Sequence, residues 1–555
     1  MQPDRTPERI IPSLLFADGL IAIAFAFLAH TLGIDPTPDW GRIRILAFIA
    51  GVLFCGISLL LFKNKTGFTK AKIPGVFFLI IHSWVIIILV YTWFITFGTF
   101  TEWRASTRYY SLLATAFSKG NLYVDVDPGA ALLAAEDPYN SEGRPPFEDD
   151  VWDLSLYKEK LYLYWGPVPA LLMMPIQLAL KTTLSDMYPV FFFLCGLLIF
   201  NSLIILKIWQ LFFAKIPIRY VIASIFIIGL ILPIPWSLSI PDVYEAAIGA
   251  GQFFLMGGIY FIILAFENNI QKRHLFLAGF FWACSVGSRA INVLPILFLV
   301  AVTSLWIWKY STRSWRELIS PIIALLAPLA LGAILIGWYN WARFDSPLEF
   351  GLRYQITIYN LNQDMPITFQ PEYIPYNILA YVLLPFEFVK EFPFIMPMGL
   401  SSILQNHGLT APKLYAAGNV TGMLFFAPFL LFAFIPLFKK NPDIEKYPLQ
   451  LQNLTLYLLG GSFLISFISL LLYYYGQLRF MVDVVSQITL LAIFGYWVSI
   501  PKMRSSKFYL FTANLLITVT LIISVLLAVT SESGRMQKLN PSLFESLKSL
   551  QSQQK

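Results

Sequence analysis

LYWGPVPALLMMPIQLAL, Leu163 to Leu180, has the length and apolarity of a transmembrane helix, and whether it crosses decides the topology of everything after it. Pro167, Pro169 and Pro175 each remove a backbone donor and disfavour a straight helix, so the stretch is predicted to be re-entrant or interfacial. The basic residues give the same answer. With the amino terminus cytoplasmic and this stretch not crossing, six clusters share one side: Lys63, Lys65, Lys70 and Lys72; Lys207, Lys215 and Arg219; Lys272 and Arg273; Lys309, Arg313 and Arg316; Lys439 and Lys440; Lys502, Arg504 and Lys507. That is the positive-inside pattern, and a crossing at Leu163–Leu180 would invert every later connection.

The composition leaves little choice of class. Of 555 residues 57% are hydrophobic and 13% charged, with a mean hydropathy of +0.67, too few polar residues to cover a water-soluble globule. Repeated apolar runs of about 20 residues predict an all-α, polytopic helical membrane protein rather than a barrel. The runs fall at about 13–34, 43–62, 74–100, 187–213, 220–240, 246–266, 274–288, 290–309, 319–341, 417–438, 453–475, 484–500 and 508–530, about 13 transmembrane helices in one domain spanning 1–555. The first reads as a retained signal anchor, with a cleaved signal peptide as the alternative. Cys55, Cys195 and Cys284 lie inside apolar runs and read as small core residues. A formal charge of +7 serves orientation first in such a chain, and no nucleic-acid partner is expected. Four histidines without ligand spacing, no Walker loop and no G-x-G-x-x-G after a strand exclude haem, zinc or a cytosolic nucleotide as the chemistry.

The topology places two large segments outside, 101–186 with the re-entrant piece within it, and 342–416. Residues 101–162 carry eleven Asp and Glu against six Lys and Arg, while the whole chain is positive. In LYVDVDPGAALLAAEDPYN, Leu122 to Asn140, Asp125 and Asp127 form a D-x-D pair. Two carboxylates two apart on an extended segment point the same way and suit a shared Mg2+ or Mn2+, or a base with its orienting partner; a solvated acidic loop is the plainer alternative. Asp153, Lys158 and Tyr164 follow before the proline-rich stretch, where aromatic residues either anchor at the interface or flank a sugar or isoprenoid. Arg108-Tyr109, Arg343, Arg353-Tyr354 and Arg479 fall near the outer face, against the usual bias, and Arg289 in GSRAINVLP joins them if that segment is a tight outer turn. A guanidinium fork fits phosphate oxygens, although pairing with carboxylates such as Glu349 or Asp483 would also explain these arginines.

The blocks R-Y-Y-x-L-L-A-x-A-F-x-x-G from Arg108, D-x-D-P, D-P-Y-N, and W-D-L-S-L-Y-K-x-K-x-Y-L-Y-W-G-P-V-P-A from Trp152 resemble the first exterior loop of bacterial GT-C-type membrane glycosyltransferases. G-S-R at Gly287 and N-x-A-R-F-x-S-P-x-E-F-G-x-R-Y-Q from Asn340 resemble an uncharacterised branch of them. The resemblance implies a GT-C-like fold in a bacterial inner membrane and transfer of a sugar, with inversion, from a polyprenyl-phosphate carrier. The acceptor, a glycan, lipid or protein of the cell envelope, would lie on the periplasmic face. It implies a catalytic or metal-binding role for Asp125 or Asp127 and phosphate contacts from the outer arginines. Such proteins carry an acidic residue just before the tyrosine pair, where this chain has Ser106-Thr107-Arg108; the nearest upstream carboxylate is Glu102. Either Glu102 does that work, Asp125 and Asp127 do it, or transferase activity has been lost. A transporter or flippase of a lipid-linked substrate is the alternative; it predicts ionisable groups midway along helices and a repeated half-structure. A lipid-binding or protein-binding scaffold is the third.

Overall fold

The structure, a computed structural model, describes residues 6–30, 34–35, 41–63, 72–103, 105, 107–147, 151–267, 269–310, 315–390, 392–406, 408, 410–438, 446–530 and 534–549. Ser106 and the basic residues Lys65, Lys70, Arg313, Lys439 and Lys440 lie outside them. Among the described residues eight helices are long and apolar enough to cross a membrane, and a bent pair, Ile218–Leu230 with Pro233–Ser239 at 44°, makes a ninth if it is one span. Pro233 and Pro235 start the second half of that pair, where an intact helix would need their missing donors. The chain is a multi-pass helical membrane protein.

Val243–Ala265 and Leu478–Ile500 form the centre of the bundle, with 78% and 83% of their apolar windows buried, while Leu318–Phe344 and Lys507–Val529 sit at its rim with 17% and 22%. The rim helices turn Leu331, Ile334 and Phe511 outward, which suits a hydrocarbon surrounding and no other. A polar side-chain contact joins two helices away from their ends: His82 Nε2 lies 2.8 Å from Asp18 Oδ2, tying Thr6–Leu28 to Lys72–Thr96.

The stretch that decided the topology is a helix of 13 residues, Val168–Leu180. At 1.5 Å per residue it is about 20 Å long, short of the ~30 Å hydrocarbon core. Its start is pinned, because the Val168 N–H donates to Gly287 O (3.1 Å). A side chain at Gly166 would bring its Cβ within 2.1 Å of the same carbonyl. The expected span at 274–288 is a helix of only 15 residues, Lys272–Val286, and the one at 417–438 is corrected. Residues 417–438 do not form a continuous helix but a strand Asn419–Val420, a four-residue helix Met423–Phe426, a 3-10 turn Pro428–Phe434 and a short helix Ile435–Phe438. Pro428 and Pro436 interrupt the ladder, and Gly422 packs too closely on Val382, 2.5 Å from where a Cβ would lie, for a regular helix surface.

The two long connecting segments fold onto each other. Ser155–Tyr157 and Lys160–Tyr162 make a hairpin, and Ser155 bridges to Gln355. Asp153 N donates to Ile356 O and Ile356 N donates to Leu154 O, both at 2.9 Å. Ala416–Ala417 then pairs in parallel with Tyr475–Gly476. The base of this assembly is fixed by a fully buried carboxylate, Asp186, ahead of the Met187–Phe212 helix. It accepts from the Thr107 hydroxyl (2.8 Å) and from the backbone N–H groups of Tyr109 (2.8 Å) and Tyr110 (3.0 Å). Thr107 Oγ1 in turn accepts from Val243 N (2.9 Å). One side chain thereby satisfies the open N-terminal donors of the Tyr109–Ser118 helix and binds three helix starts together. Asp186→Ala orphans these donors at about 1–3 kcal/mol each, less what water recovers. We expect its melting temperature in nanodiscs to fall by several degrees; an unchanged melt would show the bracket to be dispensable.

Candidate functional site

A cavity of about 550 Å³ opens where the two long segments meet the bundle. Asp153, Tyr164 and Trp165 come to it from the first segment, Arg353 and Gln355 from the second, Tyr244 from the start of a central helix, Arg289 from the turn after Lys272–Val286, and Tyr473, Tyr474, Tyr475 and Arg479 from the approach to the other central helix. Aromatic rings are prominent in the wall, and its charged groups are Arg289, Arg353 and Arg479 with the carboxyls of Asp153 and Glu349.

Asp153 is the buried carboxylate of this wall, 5% exposed. Its φ is +62°, in the left-handed region that Asp enters more readily than most residues. The conformation is held from both sides, since its own N–H is engaged by Ile356 and the carbonyl of the preceding Trp152 accepts from the Tyr109 hydroxyl (2.6 Å). Oδ1 accepts from Gln355 Nε2 (2.8 Å), and Oδ2 accepts from the Tyr244 hydroxyl. Burial pushes the Asp153 carboxyl up to about 7, against the pull of the Arg479 charge and the Gln355 hydrogen bond. A carboxylate with that affinity for protons is poised to take one near neutrality.

The arginines differ in how much of their donor capacity the protein uses. Arg289 gives Nε and Nη2 to Asp483 Oδ2, at 2.9 and 2.7 Å. Arg353 pairs with Glu349 (3.2 Å) and is 45% exposed. Arg479 forms no hydrogen bond among the described residues; its nearest carboxylate oxygen, Glu245 Oε1, is 3.7 Å away, and its buried Nε has no partner. Its guanidinium lies over the Tyr244 ring, 4.0 Å from the centroid. That stacking fixes the plane of the fork and leaves its N–H edge for an acceptor.

Of the residues singled out from the sequence, Asp153, Tyr164, Arg289, Arg353 and Arg479 converge here. The others do not line the cavity. Asp125 is exposed and paired with Lys119 (3.0 Å), and Asp127 is exposed and accepts from Gly129 N (2.9 Å), capping its own turn. Glu102 sits partly exposed just past the Lys72–Thr96 helix, and Arg108 is exposed beside the first turn of Tyr109–Ser118. Tyr109 supports the Trp152 carbonyl, and Lys158 pairs at the surface with Asp345 (2.6 Å). Arg343 is buried at 3% exposure between Tyr339 and Phe344 and donates to Leu163 O (2.6 Å), so it holds the loop from behind. Tyr354 stacks on Phe344 and Tyr157 outside the lining. Among the described residues no group of three His, Cys, Asp or Glu could hold a metal ion. Asp125 and Asp127 are two exposed carboxylates with no third ligand beside them among the described residues, and no chemical step is assigned to a metal ion. Tyr244, Gln355 and Tyr473 were not anticipated; only the polar Asp242-Val243-Tyr244-Glu245 run opening an apolar span hinted at the first.

In sequence, no protein-family model and no curated protein matches the chain. Among solved structures it is similar to the oligosaccharyltransferase of the archaeon Archaeoglobus fulgidus. For the apo form the identity is 12% and the TM-score 0.45, covering 80% of this chain and 55% of that one. For its complex with an inhibitory peptide and a dolichol-phosphate the values are 13%, 0.42, 81% and 55%. For the form tethered to an acceptor peptide they are 12%, 0.46, 81% and 54%. The chain therefore spans little more than half the length of the protein it is similar to.

Proposed function

We propose that the chain is a membrane glycosyltransferase of GT-C type that moves a sugar from a polyprenyl-phosphate carrier to an acceptor hydroxyl on the exterior face of a bacterial inner membrane. The observation that carries this reading is the Arg479 fork, open to hydrogen bonding and beside a buried carboxyl that titrates near 7. Arg479 and Arg289 bind the carrier phosphate, with Arg353 at the rim. Asp153 accepts the proton of the acceptor hydroxyl as its oxygen attacks the anomeric carbon; the carbon–phosphate oxygen bond breaks and its electron pair stays on the phosphate. A single displacement inverts the anomeric centre. Negative charge on the leaving phosphate grows during this step, where preorganised guanidinium donors act most strongly. Tyr164, Trp165 and the Tyr473–Tyr475 run give flat faces to the sugar and the first isoprene units.

The test is release of polyprenyl phosphate from a panel of polyprenyl-phosphate sugars, with acceptor extracts supplied, by protein in nanodiscs. Wild type should release carrier. A double Asp125→Asn, Asp127→Asn variant should stay within about threefold of it, since both groups are exposed surface carboxylates whose loss rarely matters. Loss of release in a folded double variant would return the chemistry to the D-x-D pair and away from Asp153.

A further inference from the structure

Behind the two inner arginines stand two carboxylates that never reach the cavity wall. Asp483 and Glu245 keep 3% and 1% of their side chains exposed, against 15% and 19% for Arg289 and Arg479. The second oxygen of each, Asp483 Oδ1 and Glu245 Oε2, is buried without a hydrogen-bond partner. The backbone that carries Asp483 is braced, its carbonyl accepting from Gln252 Nε2 (3.1 Å) and Gln487 Nε2 (3.2 Å). Arg289 is backed by Gly251, where a Cβ would lie 3.1 Å from Arg289 Cβ. Orphaned carboxylate oxygens in a dry interior cost stability, so stability does not explain them.

The charge count supplies a reason. With both carboxyls ionised, the carboxylate pair cancels the guanidinium pair. A glycosyl phosphodiester brings one negative charge, whereas the phosphate monoester left after transfer carries up to two. Uncompensated arginines would hold that product more tightly than the donor, and a stable product complex slows turnover. We propose that Glu245 and Asp483 are positioning residues that aim the two guanidinium groups into the cavity and offset their charge, so that the carrier phosphate is released. The inference rests on the carrier-dependent reading above and extends it from bond breaking to product release.

The experiment compares binding of farnesyl phosphate and of a farnesyl-phosphate hexose to protein in nanodiscs, alongside turnover. Wild type should bind farnesyl phosphate no more tightly than the glycosylated donor. Glu245→Gln keeps the shape and removes one charge; its affinity for farnesyl phosphate should rise about tenfold, within what a unit charge a few ångströms away can supply at an effective dielectric near 20, while kcat falls and product inhibition deepens. Asp483→Asn should do the same and serves if Glu245→Gln does not fold. A purely structural role would weaken binding in both variants instead. Equal or weaker product binding in folded variants, or wild type holding farnesyl phosphate far more tightly than the donor, would overturn the proposal. Folded wild type that binds neither compound would remove the carrier reading itself.

Discussion

Asp153→Asn should lower kcat/KM for sugar transfer by about 10²–10⁴, the usual contribution of a positioned general base. Asparagine is the informative replacement. It tolerates the left-handed backbone at φ +62°, and its amide oxygen still accepts from Gln355 or Tyr244, so the protein should remain folded. The pH profile gives an independent check. In wild type the base form is the active form, so log kcat/KM should climb with unit slope below about 7 and level off above it, following the raised Asp153 carboxyl. The residual rate of Asp153→Asn should lack that inflection. Stability moves the other way: the folded-state affinity for protons exceeds the unfolded one, so Asp153 contributes stability that is full below about 4 and is lost as the pH rises through about 7. A folded Asn variant with wild-type activity would exclude Asp153 as the base.

Arg479→Gln should cost about 10²–10³ in kcat/KM, the scale found when one preorganised donor to a developing oxyanion is removed. Because Arg479 forms no hydrogen bond among the described residues and meets Glu245 only at 3.7 Å, little of this loss should come from unfolding. Arg479→Lys separates charge from shape. An ammonium group keeps the positive charge but neither the planar fork nor its stacking on Tyr244 at 4.0 Å, so recovery should be partial. The two arginine variants are compared by single-turnover release of carrier phosphate and by donor affinity. Full recovery with lysine would reduce Arg479 to a point charge, and no loss with glutamine would place the phosphate elsewhere.

Repeated apolar runs made the bundle legible, because a helix that must satisfy its own backbone in hydrocarbon announces itself as a long apolar run. The short Val168–Leu180 helix was legible too, through its prolines. Residues 417–438 were not: their apolarity matches a span, and the glycine contacts that break them are tertiary facts. The candidate site was half visible. Five arginines stood out by lying on the unexpected side, and three of them, Arg289, Arg353 and Arg479, line the cavity, whereas Arg108 and Arg343 do not. The carboxylate was harder. A D-x-D pair draws attention by spacing, whereas Asp153 is distinguished only by burial, by Gln355 arriving 202 residues later in sequence, and by a backbone angle that no local pattern encodes. Glu245 was hidden for the same reason, since a carboxylate in the first turn of a span reads as a solvated helix end, whereas Asp483 was legible as a partner for an outer arginine and pairs with Arg289 at 2.7 Å.

The left-handed backbone at Asp153 bears on how this protein can change over generations. Asp, Asn and Gly enter that conformation more readily than most residues, and a glutamate would add a methylene to a wall already filled by Tyr244 and Gln355. Drift from aspartate to glutamate is thereby disfavoured. A lineage abandoning the chemistry would be expected to leave asparagine or glycine at this position, a single-nucleotide step from either aspartate codon, and so to carry a legible mark of the loss.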